Sequence, residues 1–347
     1  MRLILDSHDD LAMAQETGFA RLIQANEYIP FHEFGDQWYG RVGLTQEQLE
    51  RELGGFYGGL FSRWAAERGA SRWGDKTPYH VWYMELLARV FPDAVFVGMV
   101  RHPGAGASSR TTRMGKSWAS SLSHWSRRNK ELLYQGARLG DRFVLCRYED
   151  LVTSPEPLLR ELTDWLGLSW SDRLLAFHEV HKQRGTASQV EGYTLSDQPL
   201  DPSRVDAWTR GIRPEQVDQL RKGRVRALSR FLGYTPAKAL PSKGWDDGHT
   251  SYLIDGDALT QRMNDRPGID WQRRPRRSLP NRELTLAELR RLRKRARGGR
   301  RDTKLDRLAT RGRSAGSAAL QRLPPTQRRA LRKVWWRIRG TLSRALK

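Results

Sequence analysis

The strongest hydrophobic signal in the chain is the run from Ala94 to Val100, which breaks at Arg101-His102-Pro103 and continues as Gly104-Ala105-Gly106-Ala107-Ser108-Ser109-Arg110. An apolar run of this length suits a parallel strand covered on both faces, and the basic, glycine-rich stretch after it suits a turn that opens a helix. Ala12 to Ala14, Ser71 to Trp73 and Phe143 to Cys146 are three more strand candidates. Met1 to His8 reads as the end of a helix. Apolar residues return at helical spacing within Gln46 to Arg68, Val81 to Val90, Ser121 to Gly136 and Pro155 to Leu166, the last closed by Gly167. Another helix opens at Pro214-Glu215 and runs through Leu220 towards Leu232, where Gly233 stops it. Strands alternating with helices predict an α/β fold, a three-layer sandwich around a mainly parallel sheet.

Beyond Ala237, Pro, Gly, Asp and Ser dominate. The pattern therefore places a folded domain over 1–236, a loose connector over 237–280 and a tail over 281–347. Charge sharpens this division. The formal net charge is +22, and residues 271–347 alone hold 26 Lys and Arg against 4 Asp and Glu, so the rest of the chain is electrically balanced. Any argument from charge to polyanions concerns the tail alone. Within it, 285–297 and 326–347 read as basic helices, and Leu331, Trp335, Ile338 and Leu342 form an apolar stripe on the second. Such a helix suits an anionic membrane surface, a nucleic acid or other polyanion, or the folded domain itself, and the sequence does not choose among them. The single cysteine, Cys146, lies in an apolar run and reads as a packed thiol. With no apolar stretch of transmembrane length and no signal-peptide pattern, the expectation is a cytoplasmic protein, peripheral at a membrane if the tail binds one.

Arg101 ends the apolar run at the carboxyl edge of the expected sheet, where open α/β folds hold ligands. Its guanidinium, the close backbone approach allowed by glycine and the hydroxyl of Ser109 suit a phosphate; a plain strand-to-helix turn with an exposed arginine is the competing reading. No His, Cys and Asp spacing suggests a metal site, and none is expected.

Four landmarks occur in an order that resembles sulfotransferases dependent on 3′-phosphoadenylyl sulfate (PAPS), particularly the branch containing tyrosylprotein sulfotransferases and bacterial relatives. They are Leu5-Asp6-Ser7-His8 with Gln15-Glu16-Thr17; Trp73-Gly74-Asp75-Lys76-Thr77-Pro78; Arg101 to Arg113; and Arg147-Tyr148-Glu149-Asp150-Leu151 ahead of Trp165-Leu166-Gly167. Trp208 before Pro214-Glu215 and Leu232-Gly233-Tyr234 resembles the family's closing segment. The resemblance implies a P-loop-like fold and transfer of a sulfuryl group to a hydroxyl or amine of a carbohydrate, a natural product or a peptide tyrosine. It implies that Arg101, Ser109 and Arg113 hold the donor's 3′-phosphate and that Tyr148 lies against the nucleotide. Ser196 falls in a cofactor-covering loop. Glu16 coincides with the general base, and Lys76 with a lysine that approaches the acceptor and the sulfuryl group. His8 and His80 are expected to pack or cap. A lysine of the tyrosylprotein enzymes is replaced by Ala207, so that contact is absent or is supplied by Arg204 or Arg210.

The pattern departs from the family in one respect. The strand and the Pro-Arg-Ser-Gly-Thr-Thr-like loop that hold the 5′-phosphosulfate would precede Leu3, and no substitute loop occurs elsewhere in the sequence. The expectation is a start placed too far downstream, or a truncated relative that binds nucleotide without turnover. A protein that binds polyanions through its tail is the third alternative.

Overall fold

In the computed structural model the run ending at Val100 is a strand, β3 (Phe96–Val100), paired in parallel with β4 (Phe143–Arg147) so that Val100 lies opposite Arg147. The structure describes residues 1–27, 43–185, 198–235, 245, 251–266 and 268–271, which belong to one compact unit, Met1–Arg282. The tail, with its two expected helices, lies outside the described residues. A second parallel pair joins β1 (Leu11–Gln15) to β2 (Arg72–Lys76), with Gln15 opposite Lys76. All five residues of β4 are buried, as expected of a strand covered on both faces. Cys146 on that strand is fully buried, and burial pushes its thiol up to about 12, so it is a packing residue.

Helices cover these strands, each with a local reason to begin. Following α1 (Arg2–Leu5) and α2 (Phe19–Glu27), α3 (Gln46–Glu67) opens on a capping box: Thr45 Oγ1 accepts from the Gln48 amide at 3.2 Å, and Gln48 Oε1 accepts from the Thr45 amide at 2.6 Å. A 3₁₀ turn, Pro78–Trp82, leads into α4 (Met84–Val90). Helix α5 (Pro103–Met114) starts with proline at its first position and ends at Gly115, whose φ of 60° is the left-handed cap that glycine favours. Ser117 caps α6 (Trp118–Leu139). Helices α7 (Tyr148–Thr153), α8 (Pro155–Trp165) and α9 (Phe177–Gln183) follow β4.

Two expectations change. The helix read from Pro214 to Leu232 is two helices, α10 (Pro214–Leu220) and α11 (Gly223–Phe231). Arg221 and Lys222 form the break between them, and Gly223, at φ 54°, opens α11. The stretch expected to be a loose connector contains β5 (Ile254–Asp255), antiparallel to β4, and α12 (Gly256–Asp265), capped by Asp255. Trp245, Ile254 and Leu259 are buried with Leu133, Phe143 and Leu145 in one hydrophobic cluster, where each large apolar side chain contributes about 1.5–3 kcal/mol. Among the described residues the strands form two hydrogen-bonded ladders, β1–β2 and β3–β4–β5. Side chains join the ladders: Leu11 of β1 lies in a cluster with Val144 and Cys146 of β4, against which Met13, Val97 and Met99 pack. The result is an α/β fold in which Glu16, Lys76, Arg101 and Tyr148 stand at the carboxyl ends of the four parallel strands.

Candidate active site

Glu16 immediately follows β1, and Lys76 is the last residue of β2. The parallel register brings them together: the Glu16 amide donates to the Lys76 carbonyl at 3.0 Å, and Lys76 Nζ lies 2.6 Å from Glu16 Oε1. The two side chains are 43% and 39% exposed, so the pair contributes no more than about 1 kcal/mol to stability. Glu16 meanwhile sits at φ 46°, a left-handed conformation that costs a residue with a Cβ about 1–3 kcal/mol. Stability therefore does not explain the geometry. A carboxylate and an ammonium are held at a strand edge, facing solvent, in a backbone that works against them.

Asp75, one residue earlier on β2, organises the surroundings. Its Oδ2 accepts from Thr17 Oγ1 at 2.8 Å, its Oδ1 accepts from Thr77 Oγ1 at 2.6 Å, and the His80 ring lies 3.3 Å away. The segments after β1 and after β2 are thus tied to one buried carboxylate. His80 packs edge-on against Phe19, and burial lowers its pKa. His8 behaves as expected: its Nδ1 accepts from the Asp10 amide at 3.0 Å and its Nε2 donates to the Ser169 carbonyl at 2.8 Å.

On the other ladder, Arg101 follows β3 directly and Tyr148 opens α7 after β4. The Arg101 guanidinium lies 4.1 Å from the centre of the Tyr148 ring, a cation–π contact. Trp125 Nε1 donates to the Arg101 carbonyl at 2.8 Å, which fixes the turn. Arg101 Nε is buried and has no hydrogen-bond partner among the described residues. Behind it, the His102 amide donates to Glu149 Oε1 at 2.9 Å and the Tyr234 hydroxyl donates to Glu149 Oε2 at 2.7 Å. The His102 ring stacks on Trp208 at 4.4 Å, donates from Nε2 to the Thr235 carbonyl at 2.8 Å and accepts at Nδ1 from the Gly104 amide at 3.1 Å. Burial brings this imidazole down to about 4, so it is neutral at pH 7. Burial also raises the Glu149 carboxyl, while the His102 amide and the Tyr234 hydroxyl pull it back.

Ser109 stands half-buried on α5, and Arg113 is exposed one turn further on, so the two share a helix face. Ser196 lies outside the described residues. Arg204 pairs with Asp201 at 3.0 Å, and Arg210 is exposed. Sequence reasoning missed Asp75, Trp125 and the His102–Glu149–Tyr234 arrangement. Asp75, Glu149 and Tyr234 stood inside the motifs already singled out; Trp125 carried no signal beyond an apolar position on α6.

Comparison with known proteins agrees with this geometry. The model of the family described as "Sulfotransferase family" matches residues 1–172, which contain both parallel strand pairs and Glu16, Lys76, Arg101, Ser109, Arg113 and Tyr148. Protein-tyrosine sulfotransferase 1 of Danio rerio is 26% identical over 277 residues, covering 77% of this chain and 76% of that protein. The protein-tyrosine sulfotransferase of Drosophila melanogaster is 26% identical over 269 residues, 73% of this chain and 53% of its own length. Among solved structures, the sulfotransferase domain of the Synechococcus PCC 7002 olefin synthase superposes with a TM-score of 0.46 at 22% identity, covering 63% of this chain and 86% of that one. With the tyrosylprotein relatives in agreement, residues 1–172 match the sulfotransferase family.

Proposed function

We propose that this protein transfers a sulfuryl group from PAPS to a hydroxyl. A peptide tyrosine is the acceptor favoured by the protein-tyrosine sulfotransferase relatives, ahead of a carbohydrate, a natural product or an amine. The observation that carries the reading is the strained Glu16–Lys76 pair at one ladder's edge, with the Arg101–Tyr148 contact in the equivalent position on the other. The donor's 3′-phosphate and nucleotide fit the residues present: the orphaned Nε of Arg101 and the aromatic face of Tyr148 suit a phosphate beside a nucleotide, and Ser109 and Arg113 supply a hydroxyl and a second guanidinium on the helix that follows. When bound, PAPS supplies an activated sulfuryl group whose departure leaves 3′,5′-bisphosphoadenosine.

The chain's own groups do the rest. Glu16 accepts the proton of the acceptor hydroxyl, a general-base contribution of about 10²–10⁴ in rate. Lys76, a compact ammonium beside it, neutralises negative charge gathering at the transferring group and orients the carboxylate. The Asp75 hydrogen bonds keep both segments in register. Among the described residues no group of metal-ligating side chains occurs.

Calorimetric titration with 3′,5′-bisphosphoadenosine tests this reading without depending on turnover. Arg101→Ala is expected to weaken binding about 10–100-fold, the loss of one charged hydrogen-bonding group. Equal affinity in wild type and variant would refute the assignment.

A further inference from the structure

The α5–α6 face carries a second set of cations that the reaction above does not use. Arg110 stands on α5, and His124, Arg127 and Arg128 stand on α6; the helices pack closely where Gly106 meets the edge of Trp125. All four side chains are half-buried, and among the described residues none forms an ion pair with a carboxylate. Arg128 reaches towards the reaction site: it donates to the Pro78 carbonyl at 3.1 Å and lies 4.8 Å from the centre of the Tyr79 ring, three residues after Lys76.

Arginines on helices ordinarily keep their heads in water. Here Arg110 Nε and Arg127 Nε are buried without a hydrogen-bond partner, as is Thr111 Oγ1. Burial, then Arg128, Arg110 and Arg127, bring the His124 imidazole down to about 4, so three guanidinium groups act on one ring. Like charges and unpaired donors are both costly; the Pro78 carbonyl and the Tyr79 ring meet Arg128 and Met114 Sδ meets Arg110, and none of these partners carries a formal negative charge. A single carboxylate would leave most of this charge uncompensated. A tetrahedral dianion matches it, offering several acceptor oxygens to the planar forks of arginine.

We propose that Arg110, His124, Arg127 and Arg128 bind a phosphate or sulfate group distinct from the one assigned to Arg101, Ser109 and Arg113. His124 contributes as a neutral imidazole donor. The group belongs to the donor nucleotide or to the acceptor, and both present the same chemistry. The proposal rests on this cluster alone, so its test separates from the test of the nucleotide site.

Inorganic sulfate, titrated at constant ionic strength against chloride, is the probe, read by calorimetry and by thermal shift. Sulfate is expected to bind and raise the melting temperature of wild type and Arg101→Ala alike. Arg127→Gln with Arg128→Gln is expected to lose at least tenfold in sulfate affinity. Arg110→Gln, a single change near the end of α5, provides the same reading if the double variant does not fold. Loss of sulfate binding in Arg101→Ala would collapse the two sites into one. Retention of full sulfate affinity in the Arg110→Gln and double variants would remove the cluster from consideration. In Arg101→Ala protein, displacement of sulfate by 3′,5′-bisphosphoadenosine assigns the cluster to the donor, and displacement by O-sulfotyrosine assigns it to the acceptor.

Discussion

Among the described residues Glu16 is the only one other than glycine with a positive φ, and this turns a backbone detail into a test of its role. Glycine takes φ 46° without penalty, so Glu16→Gly removes about 1–2 kcal/mol of strain while losing an exposed ion pair worth less than that. Thermal unfolding is therefore expected to show Glu16→Gly as stable as wild type or more so, while sulfuryl transfer falls by about 10²-fold or more. A drop in both would mean that the carboxylate supports the fold, not the reaction. Trading stability for a fixed carboxylate is the behaviour of a working site.

Between elements, the critical contact is where α5 starts beneath Trp208. A Cβ at Gly104 would collide with the Trp208 ring, which itself stacks on His102. Gly104→Ala is expected to cost about 1–3 kcal/mol and to disturb Arg101, three residues away. Differential scanning calorimetry with bisphosphate titration would show lower stability and weaker binding together; an unchanged melting temperature would contradict the collision. Much at this scale was legible in the sequence. Three of the four parallel strands, β1, β3 and β4, are legible as apolar runs, and the start of α5 is legible from the turn at Pro103. The break before Gly223 was missed because Arg221 and Lys222 are good helix formers and the apolar spacing of Leu220, Leu228 and Phe231 continues across it. β5 and α12 were missed because a two-residue strand leaves no periodicity, and its partner, β4, is more than a hundred residues away. The α5–α6 cations were missed for a third reason: arginine on a helix reads as a solvated face until a neighbouring helix closes over it.

For the whole molecule, His102 links pH to stability. Its pKa falls from 6.5 to about 4 on folding, so the unfolded chain binds the proton more readily. The stability this represents is complete above pH 6.5 and is lost as pH falls towards 4. Glu149 acts in the opposite sense: its raised pKa makes the folded state hold a proton more tightly, so its contribution grows on acidification. Comparing wild type with His102→Gln isolates the histidine. The wild type's advantage in urea unfolding is expected to shrink by about 3 kcal/mol between pH 7 and pH 4. A difference independent of pH would show that the ring is not buried neutral.

The split between the two ladders has a final consequence. The Glu16–Lys76 pair, proposed as proton acceptor and ammonium, rides on one ladder, and the Arg101–Tyr148 contact, proposed as the nucleotide grip, rides on the other. No shared run of backbone hydrogen bonds sets the span between them among the described residues. That span is written in side-chain volume, in the thickness of Leu11, Met13, Val97, Met99 and Cys146 packed between the ladders. A methylene gained or lost there changes the distance between the two halves of the reaction while leaving every reacting group in place.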